Sequence, residues 1–398
     1  MAEDMSAFQR ASISLKVNGN DSGLSPMSFS VIEFDSIYQF YPKMKLIVSD
    51  YEGVLNEYLA FVDGTTVEVA FGASNDEIKK CKFVIAKNSV PQQKTASSGV
   101  GGDFEIELIH DYYYEQVKKS KAYQSNISDI ISDLVSKYKF NSVDIDSTIN
   151  SGVWYQPFVN DSEFILDYLT PFAFSNSSQN TPFYAFIDSN DNFHFKSLNS
   201  MINSTPLKEL TYGNYGLDIV ANDEIFYSVN FAQLELSKLR PYFNCKYYNY
   251  DGNGNISIES DSLTDYINSR GKFPIIGNSN NSTQLVSLYD YDVEFDDTTN
   301  NNKGFCINLH KESLLPDKIT INTHINKNLV CGNTIKINIP SPSSNDSDNK
   351  SLRNTGTYLI ESSYHIWDSK NARTMLVCSK QNVVLNNSEY RNNNLLFS

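Results

Sequence analysis

The chain has 398 residues, a formal net charge of −15 and an aromatic content of 13%. This length favours two to four domains over a single core. The negative charge argues against a protein that wraps DNA or lies on an anionic membrane, because both interactions need neutralising Lys and Arg. With 25 Tyr, 24 Phe and few stretches of helical periodicity, the composition predicts a mainly β protein with a minor helical part.

Disulfides, zinc sites and membrane spans are not expected. The five cysteines are odd in number, widely separated and without a C-x-x-C pair, which favours small buried thiols in a reducing environment. No apolar run approaches the roughly 20 residues of a transmembrane helix. The first five residues lack the basic-then-apolar pattern of a signal peptide.

Residues 1–115 are predicted to form a curved sheet or small β-barrel. In its last strand the apolar side chains at the even-numbered positions share one face, and Glu105 and Glu107 point to the other. A Pro/Gly/Ser-rich segment, 89–102, is predicted to be a loop. The strand candidates are 12–17, 29–34, 45–48 and 104–108.

One pattern occurs near both ends of the chain. Gly64-Thr65-Thr66 and Gly332-Asn333-Thr334 each read Gly-x-Thr, and branched apolar residues follow at alternate positions. A hairpin arm and a closing strand come after each opening. From the glycine to the closing strand is 40 residues in the first copy and 42 in the second. Gly-x-Thr alone is common where strands begin, so the shared order and spacing of three elements carry the prediction of an internal duplication.

The middle of the chain, 116–212, is predicted to be an α+β domain between two barrels. A helix from Ser125 or Asn126 to about Tyr138 has one apolar stripe. A second helix begins at Asn160, which with Glu163 has the form of a capping box, and it is expected to end at Pro171. A short strand at 143–145 and the strand 153–158 lie between the two helices, and a hairpin pairing 183–187 with 193–195 follows them.

The second barrel is predicted from two separated segments, 213–240 and 308–385. The polar residues between them, 241–307, read as an insertion whose Asp/Asn/Gly turn at 251–255 predicts a hairpin. The low-complexity run 341–355 is expected to be an exposed loop. Residues 386–398 are predicted to form a flexible tail.

No catalytic, cofactor-binding or metal-binding residues are assigned. Asp188-x-Asn190-x-Asn192 resembles the start of a calcium loop, as does the turn at Asp251, but neither has the glycine and acid that an EF-hand requires. Hairpin turns are the better interpretation of both. The five histidines are isolated, and the chain has no nucleophile elbow or phosphate-binding loop.

The segment 127–171 resembles the central hub proteins of phage baseplates and tail tips, and the related hub portion of type VI secretion spikes. The resemblance rests on a capped helix, a short strand, Trp154-Tyr155-Gln156-Pro157-Phe158 and the second capped helix. The C-terminal run from Gly332 through Gly356-Thr357-Tyr358 and His365 also fits that family. The resemblance implies two tube-protein-like β-barrels with an α/β domain between them. It also implies trimers whose six barrels form a pseudo-six-fold ring, and it brings no catalytic residues.

The leading hypothesis is therefore a non-enzymatic, homotrimeric baseplate or tail-tip hub in the virion, assembled in the host cytoplasm. Its expected partners are the tail tube protein and a spike or tail-tip protein, with baseplate wedge or tape-measure proteins as further candidates. The ring would adapt a six-fold tube to a three-fold spike, and DNA would pass through it without specific binding. Glu68, Glu105 and Glu107 are candidates for a bore that repels phosphate, although an outer solvated face is the simpler interpretation.

Two other functions stay open at this point. Abundant Tyr and Asn-rich loops would suit a receptor-binding or glycan-binding β protein. A glycoside hydrolase would need two carboxylates at a suitable separation in a cleft. Pairs such as Asp144 and Asp146 are common in an acidic chain and by default lie on a solvated face.

Overall fold

The computed structural model describes fourteen stretches of the chain. The predicted loops at 89–102 and 341–355 and the predicted tail at 386–398 lie almost entirely outside them, as does the predicted turn at 251–255. The described residues are 12–22, 29–50, 64–72, 79–88, 102–175, 181–213, 225–231, 244–250, 256–262, 283–286, 315, 317–340, 354–367 and 372–380.

The first part of the chain is a strongly curled antiparallel sheet around an apolar core. Leu15 points inward from the first strand, and alternate side chains of five further strands meet it, as the period-two pattern predicted. The strands are β1 (Ser12–Val17), β2 (Asn20–Asp21), β3 (Phe29–Ser36), β4 (Lys43–Asp50), β5 (Thr66–Gly72), β6 (Lys79–Asn88) and β7 (Gly102–His110).

The middle part packs two small sheets and several short helices around a second core. Strands β8 and β10 pair antiparallel, while β12 pairs antiparallel with β11 and parallel with β9. A π-helix at Phe164–Leu169 and a 3₁₀ turn at Thr170–Phe172 continue the helix α3. The elements are α1 (Tyr112–Glu115), β8 (Lys119–Asn126), α2 (Ile127–Val135), β9 (Ser142–Ile145), β10 (Ser151–Val159), α3 (Asp161–Glu163), β11 (Phe183–Ile187), β12 (Asn192–Ser197) and α4 (Leu198–Ile202).

The last part contains a closed six-stranded barrel. Its strands follow the order β19-β13-β14-β18-β21-β20, and a further pairing between β19 and β20 closes the ring. A separate three-stranded sheet, β16-β15-β17, confirms the hairpin predicted in the insertion. These strands are β13 (Glu209–Tyr212), β14 (Ile225–Phe231), β15 (Asn244–Tyr250), β16 (Ile256–Ser262), β17 (Thr283–Val286), β18 (Asp317–His324), β19 (Thr334–Asn338), β20 (Gly356–Trp367) and β21 (Ala372–Lys380).

The two β units share one strand order, which confirms the predicted duplication. In the first unit the order is β3-β4-β7-β6-β5, and in the second it is β14-β18-β21-β20-β19. Every neighbouring pair in both series is antiparallel. The sixth strand differs: β1 pairs antiparallel with β5, whereas β13 pairs parallel with β19. Among the described residues, no strand pair closes the first unit into a ring.

The openings of the two copies match in backbone geometry. Gly64 and Gly332 have φ angles of 83° and 82°, in the left-handed region that favours glycine. The Gly64 N–H donates to the Ile85 carbonyl at 2.9 Å, and the Gly332 N–H donates to the Ile360 carbonyl at 2.9 Å. Directly after each of these isoleucines the pairing with the next strand shifts by one residue. A bulge at the same place in both copies supports the predicted duplication, because bulges are conserved among related structures.

The two units are fused into a single 13-stranded sheet through strands β20 and β3. Strand β20 has 12 residues, and its second half pairs antiparallel with β3 from Ser362 to Trp367. Trp367 thereby enters the core of the first unit, where its ring centroid lies 5.8 Å from that of Phe29. The joint is therefore both a hydrogen-bonded ladder and a shared apolar contact.

Several local predictions need adjustment. Helix α2 has the predicted buried stripe but ends at Val135, three residues early, and Asn126 makes no side-chain cap. Asn160 does cap the next helix, because its side-chain oxygen accepts from the Glu163 N–H at 2.8 Å. Pro171 lies inside a 3₁₀ turn that ends one residue later. Strand β13 lies in the range predicted for the middle domain, yet it pairs with β14 and β19 of the second barrel.

A pair of glycine substitutions separates backbone strain from crowding. A Cβ on Gly64 would meet nothing within 4 Å, whereas one on Gly332 would lie 2.5 Å from the Phe186 ring. We expect Gly64→Ala to cost about 1–2 kcal/mol of unfolding free energy, the left-handed penalty alone. Gly332→Ala should cost about 1–3 kcal/mol more, because the ring must move. Urea unfolding of both variants measures the difference, and equal losses would contradict the close packing on Gly332.

Candidate functional site: a three-way junction and a charged sheet face

A buried carboxylate at the end of β3 holds the three parts of the chain together. Asp35 is 1% exposed. One of its oxygens accepts from the Ser189 N–H of the middle part at 2.8 Å. The other accepts from the Ser363 hydroxyl at 2.6 Å and from the Cys331 N–H at 3.3 Å, both in the second barrel. Asp35 belongs to the first unit and thus accepts hydrogen bonds from both the middle part and the second barrel.

Further polar contacts surround Asp35. The Ser362 hydroxyl donates to the Ser36 hydroxyl at 2.9 Å, and the Ile37 N–H donates to the Glu361 carbonyl at 3.0 Å. An apolar cluster also draws on all three parts, so the junction combines these hydrogen bonds with apolar packing. Its members are Ile37, Phe174, Tyr184, Phe186, Leu198, Met201, Leu315, Cys331 and Leu359.

The turn between β11 and β12 presents Ser189 to Asp35 and is itself organised by a carboxylate. Asp188 accepts from the backbone N–H groups of Asn190 and Asn192 at 2.8 and 3.0 Å. Burial alone would raise the pKa of Asp188, but hydrogen bonds from His194 and Asn192 hold it below its usual value. The geometry confirms the hairpin-turn interpretation, since Asp188 binds its own backbone as in an Asx turn.

The same turn also reaches the first unit through a histidine. His110 ends β7, and its Nε2 lies 3.1 Å from the carboxylate of Asp191, a residue with a φ of 63°. The Asn190 side chain donates to the Lys327 carbonyl of the second barrel at 2.9 Å. The sequence indicated only that His110 was isolated, since its partner lies 81 positions away along the chain.

Two cysteines fit the prediction of small buried thiols. Cys331 and Cys378 are both buried and free. Burial raises the pKa of the Cys331 thiol well above its usual range, and the negative charge of Asp35 adds to this effect. A thiol that stays protonated is a poor nucleophile and a poor metal ligand, so Cys331 contributes packing.

The three candidate glutamates lie on one exposed face, opposite the apolar core. Each also lies beside lysines. Lys16 and Lys82 are the register partners of Glu68 on either side, and Lys45 Nζ lies 2.6 Å from Glu105.

Glu107, the third candidate, is directly opposite Lys45 on β4. The described part of this face is therefore a ladder of opposite charges, and it is not an acidic patch. Cross-strand pairs of opposite sign are the arrangement that stabilises such a sheet.

Asp35 was missed at the sequence level, although a signal exists. In β3 the inward positions are Phe29, Val31, Glu33 and Asp35, so two acids occupy the face that carries the core. An acid on an otherwise apolar face predicts a buried, hydrogen-bonded carboxylate. Its donors cannot be read from the sequence because they lie about 150 and 300 residues away.

Over the described residues, no group of three or more His, Cys, Asp or Glu side chains could hold a metal ion. Within the same stretches, no helix has the length and apolar character that crossing a membrane requires.

No protein-family model matches the chain, and no curated protein is significantly similar to it in sequence. Solved structures do match. A tail protein from Neisseria meningitidis MC58 superposes with a TM-score of 0.54 at 8% identity, covering 93% of this chain and 96% of its own. The 43 kDa tail protein of prophage MuSo2 from Shewanella oneidensis superposes with a TM-score of 0.55 at 9% identity, covering 92% and 98%.

Removing the shared carboxylate tests the junction. Asp35→Ala would leave two buried N–H groups and one hydroxyl without their acceptor, so we expect a loss of more than about 3 kcal/mol of unfolding free energy. Asp144→Ala is the matched control, because Asp144 is half exposed and pairs with Lys196 at 2.6 Å. It should cost less than about 1 kcal/mol. Urea unfolding followed by circular dichroism distinguishes them, and a small loss for Asp35→Ala would refute a central role.

At these low identities the superpositions show the fold alone, and they confirm the resemblance at that level: over most of its length, this chain has the fold of phage tail proteins.

Proposed function

We propose that this chain is a structural, non-enzymatic component of a phage tail tip or baseplate. Three copies form a ring with pseudo-six-fold order, and the ring joins a six-fold tail tube to a three-fold spike. The observation that carries the proposal is the side-by-side fusion of two β units with one strand order. A single chain then already contains two neighbouring positions of a ring.

The strand pairing that joins the two units within one chain is also a template for the contact between copies in that ring. Within one copy, β20 of the second unit adds to β3 of the first. The duplication makes β6 the counterpart of β20 and β14 the counterpart of β3. Repeating the joint between copies adds β6 of one chain to β14 of the next, a heterologous contact that closes when the rotation is right.

The same pairing between copies also determines how many strands form the wall of the ring. Eight consecutive strands run from β14 to β6 through the joint: β14-β18-β21-β20-β3-β4-β7-β6. Three copies would therefore supply 24 strands and six barrel positions around one axis. A wall of this kind surrounds a channel through which DNA can pass, and its two ends are available to the tube protein and to a spike or tail-tip protein.

In this arrangement the chain belongs to the virion and is assembled in the host cytoplasm. Baseplate wedge or tape-measure proteins are further candidate partners. The similar solved proteins support the placement, since both are described as tail proteins and match over nearly their whole length.

The decisive experiment is the mass and shape of the assembled protein. Light scattering should give three times the chain mass of 45.0 kDa, and negative-stain images should show a hollow ring with six similar lobes. Purified tail tube protein, added in excess, should stack on one end. A compact solid particle, or a monomer that tube protein leaves unchanged, would count against the ring.

The charged ladder makes a separate prediction about DNA. Changing Glu68, Glu105 and Glu107 to Lys removes the partners of at least three lysines and leaves a basic face that binds phosphate. We expect the assembled variant to bind short duplex DNA in low salt at least ten-fold more tightly than the wild type. Fluorescence anisotropy measures this binding.

The control exchanges one pair in place, with Lys45→Glu and Glu105→Lys together, so that the charges change position but not number. It should bind DNA as the wild type does. Tight binding by the control, or none by the triple variant, would show that the balance of charge on this face does not govern its affinity for DNA.

A further inference from the structure

Two buried side chains of the second barrel each carry a polar atom that the protein itself does not satisfy. The atoms are Oε1 of Glu361 on β20 and Oγ of Ser379 on β21, and both residues are 1% exposed. Neither atom has a hydrogen-bond partner in the described part of the chain. Because buried polar side chains are nearly always hydrogen-bonded, two such atoms on neighbouring strands indicate that something else binds there.

Strand register brings the two atoms together on the outer face of the barrel. Ser379 lies directly opposite Lys318 of β18 on one side and Leu359 of β20 on the other. Lys318 Nζ lies 2.6 Å from the second carboxylate oxygen of Glu361, Oε2. This ion pair joins β18 to β20, so it crosses β21, the strand between them, beside Ser379. The Ser379 hydroxyl therefore lies under the ion pair and close to Glu361 Oε1.

The other two parts of the chain lie against this site. Glu361 is the extra residue of the bulge in β20, and its carbonyl accepts from the Ile37 N–H of the first unit at 3.0 Å. Lys318 Nζ lies 5.5 Å from the centre of the Tyr38 ring, also of the first unit. That ring lies 5.9 Å from the ring of Tyr184 in the middle part. The two unsatisfied atoms are therefore enclosed where all three parts meet.

The chemistry of the two atoms restricts what can bind between them. A carboxylate oxygen only accepts hydrogen bonds, whereas the Ser379 hydroxyl can donate or accept. An anion would be repelled by the carboxylate of Glu361. A metal cation would lie beside the ammonium group of Lys318, which already neutralises that carboxylate, so its own charge would be uncompensated. A small neutral molecule that both donates and accepts satisfies both atoms.

We propose that Glu361 and Ser379 bind a buried water molecule under the ion pair with Lys318. The water donates one hydrogen bond to Glu361 Oε1 and accepts one from the Ser379 hydroxyl. The Lys318 ammonium group has three donors and supplies a further contact, so the water has the usual number of about three partners. This site does not depend on the proposed ring, because all three residues belong to one copy of the chain.

A crystal structure of the full chain, at a resolution that shows ordered water, tests the proposal directly. We expect one density peak at about 2.7–3.2 Å from both Glu361 Oε1 and Ser379 Oγ. The peak should weaken or vanish in crystals of Ser379→Ala. A peak at about 2.0–2.6 Å would identify a metal cation and overturn the proposal. So would the lack of any peak, or a direct hydrogen bond between the two side chains.

Urea unfolding supplies a second measurement, because the two possibilities change stability in different directions. If the water is bound, Ser379→Ala removes one of its partners, and the equilibrium constant for unfolding should rise about five-fold. If the hydroxyl has no partner, its removal relieves a buried polar group, and the constant should stay the same or fall. Ser120→Ala is the control, because Ser120 is an exposed strand residue and reports the change in strand propensity alone. A Ser379→Ala chain as stable as this control would contradict the proposal.

Discussion

The architecture depends on one buried carboxylate that serves three partners. Without the N–H groups of Ser189 and Cys331 and the hydroxyl of Ser363, the buried side chain of Asp35 would lack these hydrogen-bond donors, which is costly inside a protein. Conversely, those donors would be buried and unsatisfied without it. Because the donors come from both other parts of the chain, the polar groups are satisfied in only one relative placement of the three. Apolar contacts alone would permit sliding, since they depend on area and hardly on direction.

The two β units are alike in strand order and differ where they meet other structure. Gly64 and Gly332 occupy the same left-handed turn, but only Gly332 lies against a neighbour, the ring of Phe186. Strand β20 continues past the shared bulge into the joint, with Trp367 at its end. The features that the two units share are thus those that form the strands of each unit. The features that differ are those that contact the neighbouring parts of the chain.

The sequence was informative where periodicity decides the structure. The stripe of Ile127, Ile130 and Leu134 predicted a packed helix, and the alternation over 104–108 predicted strand β7. The sequence was uninformative where pairing between distant segments decides the structure. The four residues of β13 gave no sign that they would lie between β14 and β19. The candidate glutamates were assigned correctly to an exposed face, but their lysine partners follow from strand neighbours that no local pattern reveals.

Fusing two β units in one chain has a consequence that six separate units would lack. The middle part occurs once per chain, and it contacts the two units differently: its turn gives Ser189 to Asp35 of the first and packs Phe186 on Gly332 of the second. In the proposed ring, six similar barrels would therefore carry three middle parts, one at every second position. The wall facing the proposed channel would keep approximate six-fold order, because it would be built from the duplicated strands. The periphery of that ring would have three-fold order, because the middle part occurs only once per chain. A change of symmetry between tube and spike would then follow from which parts of the chain are duplicated and which are not.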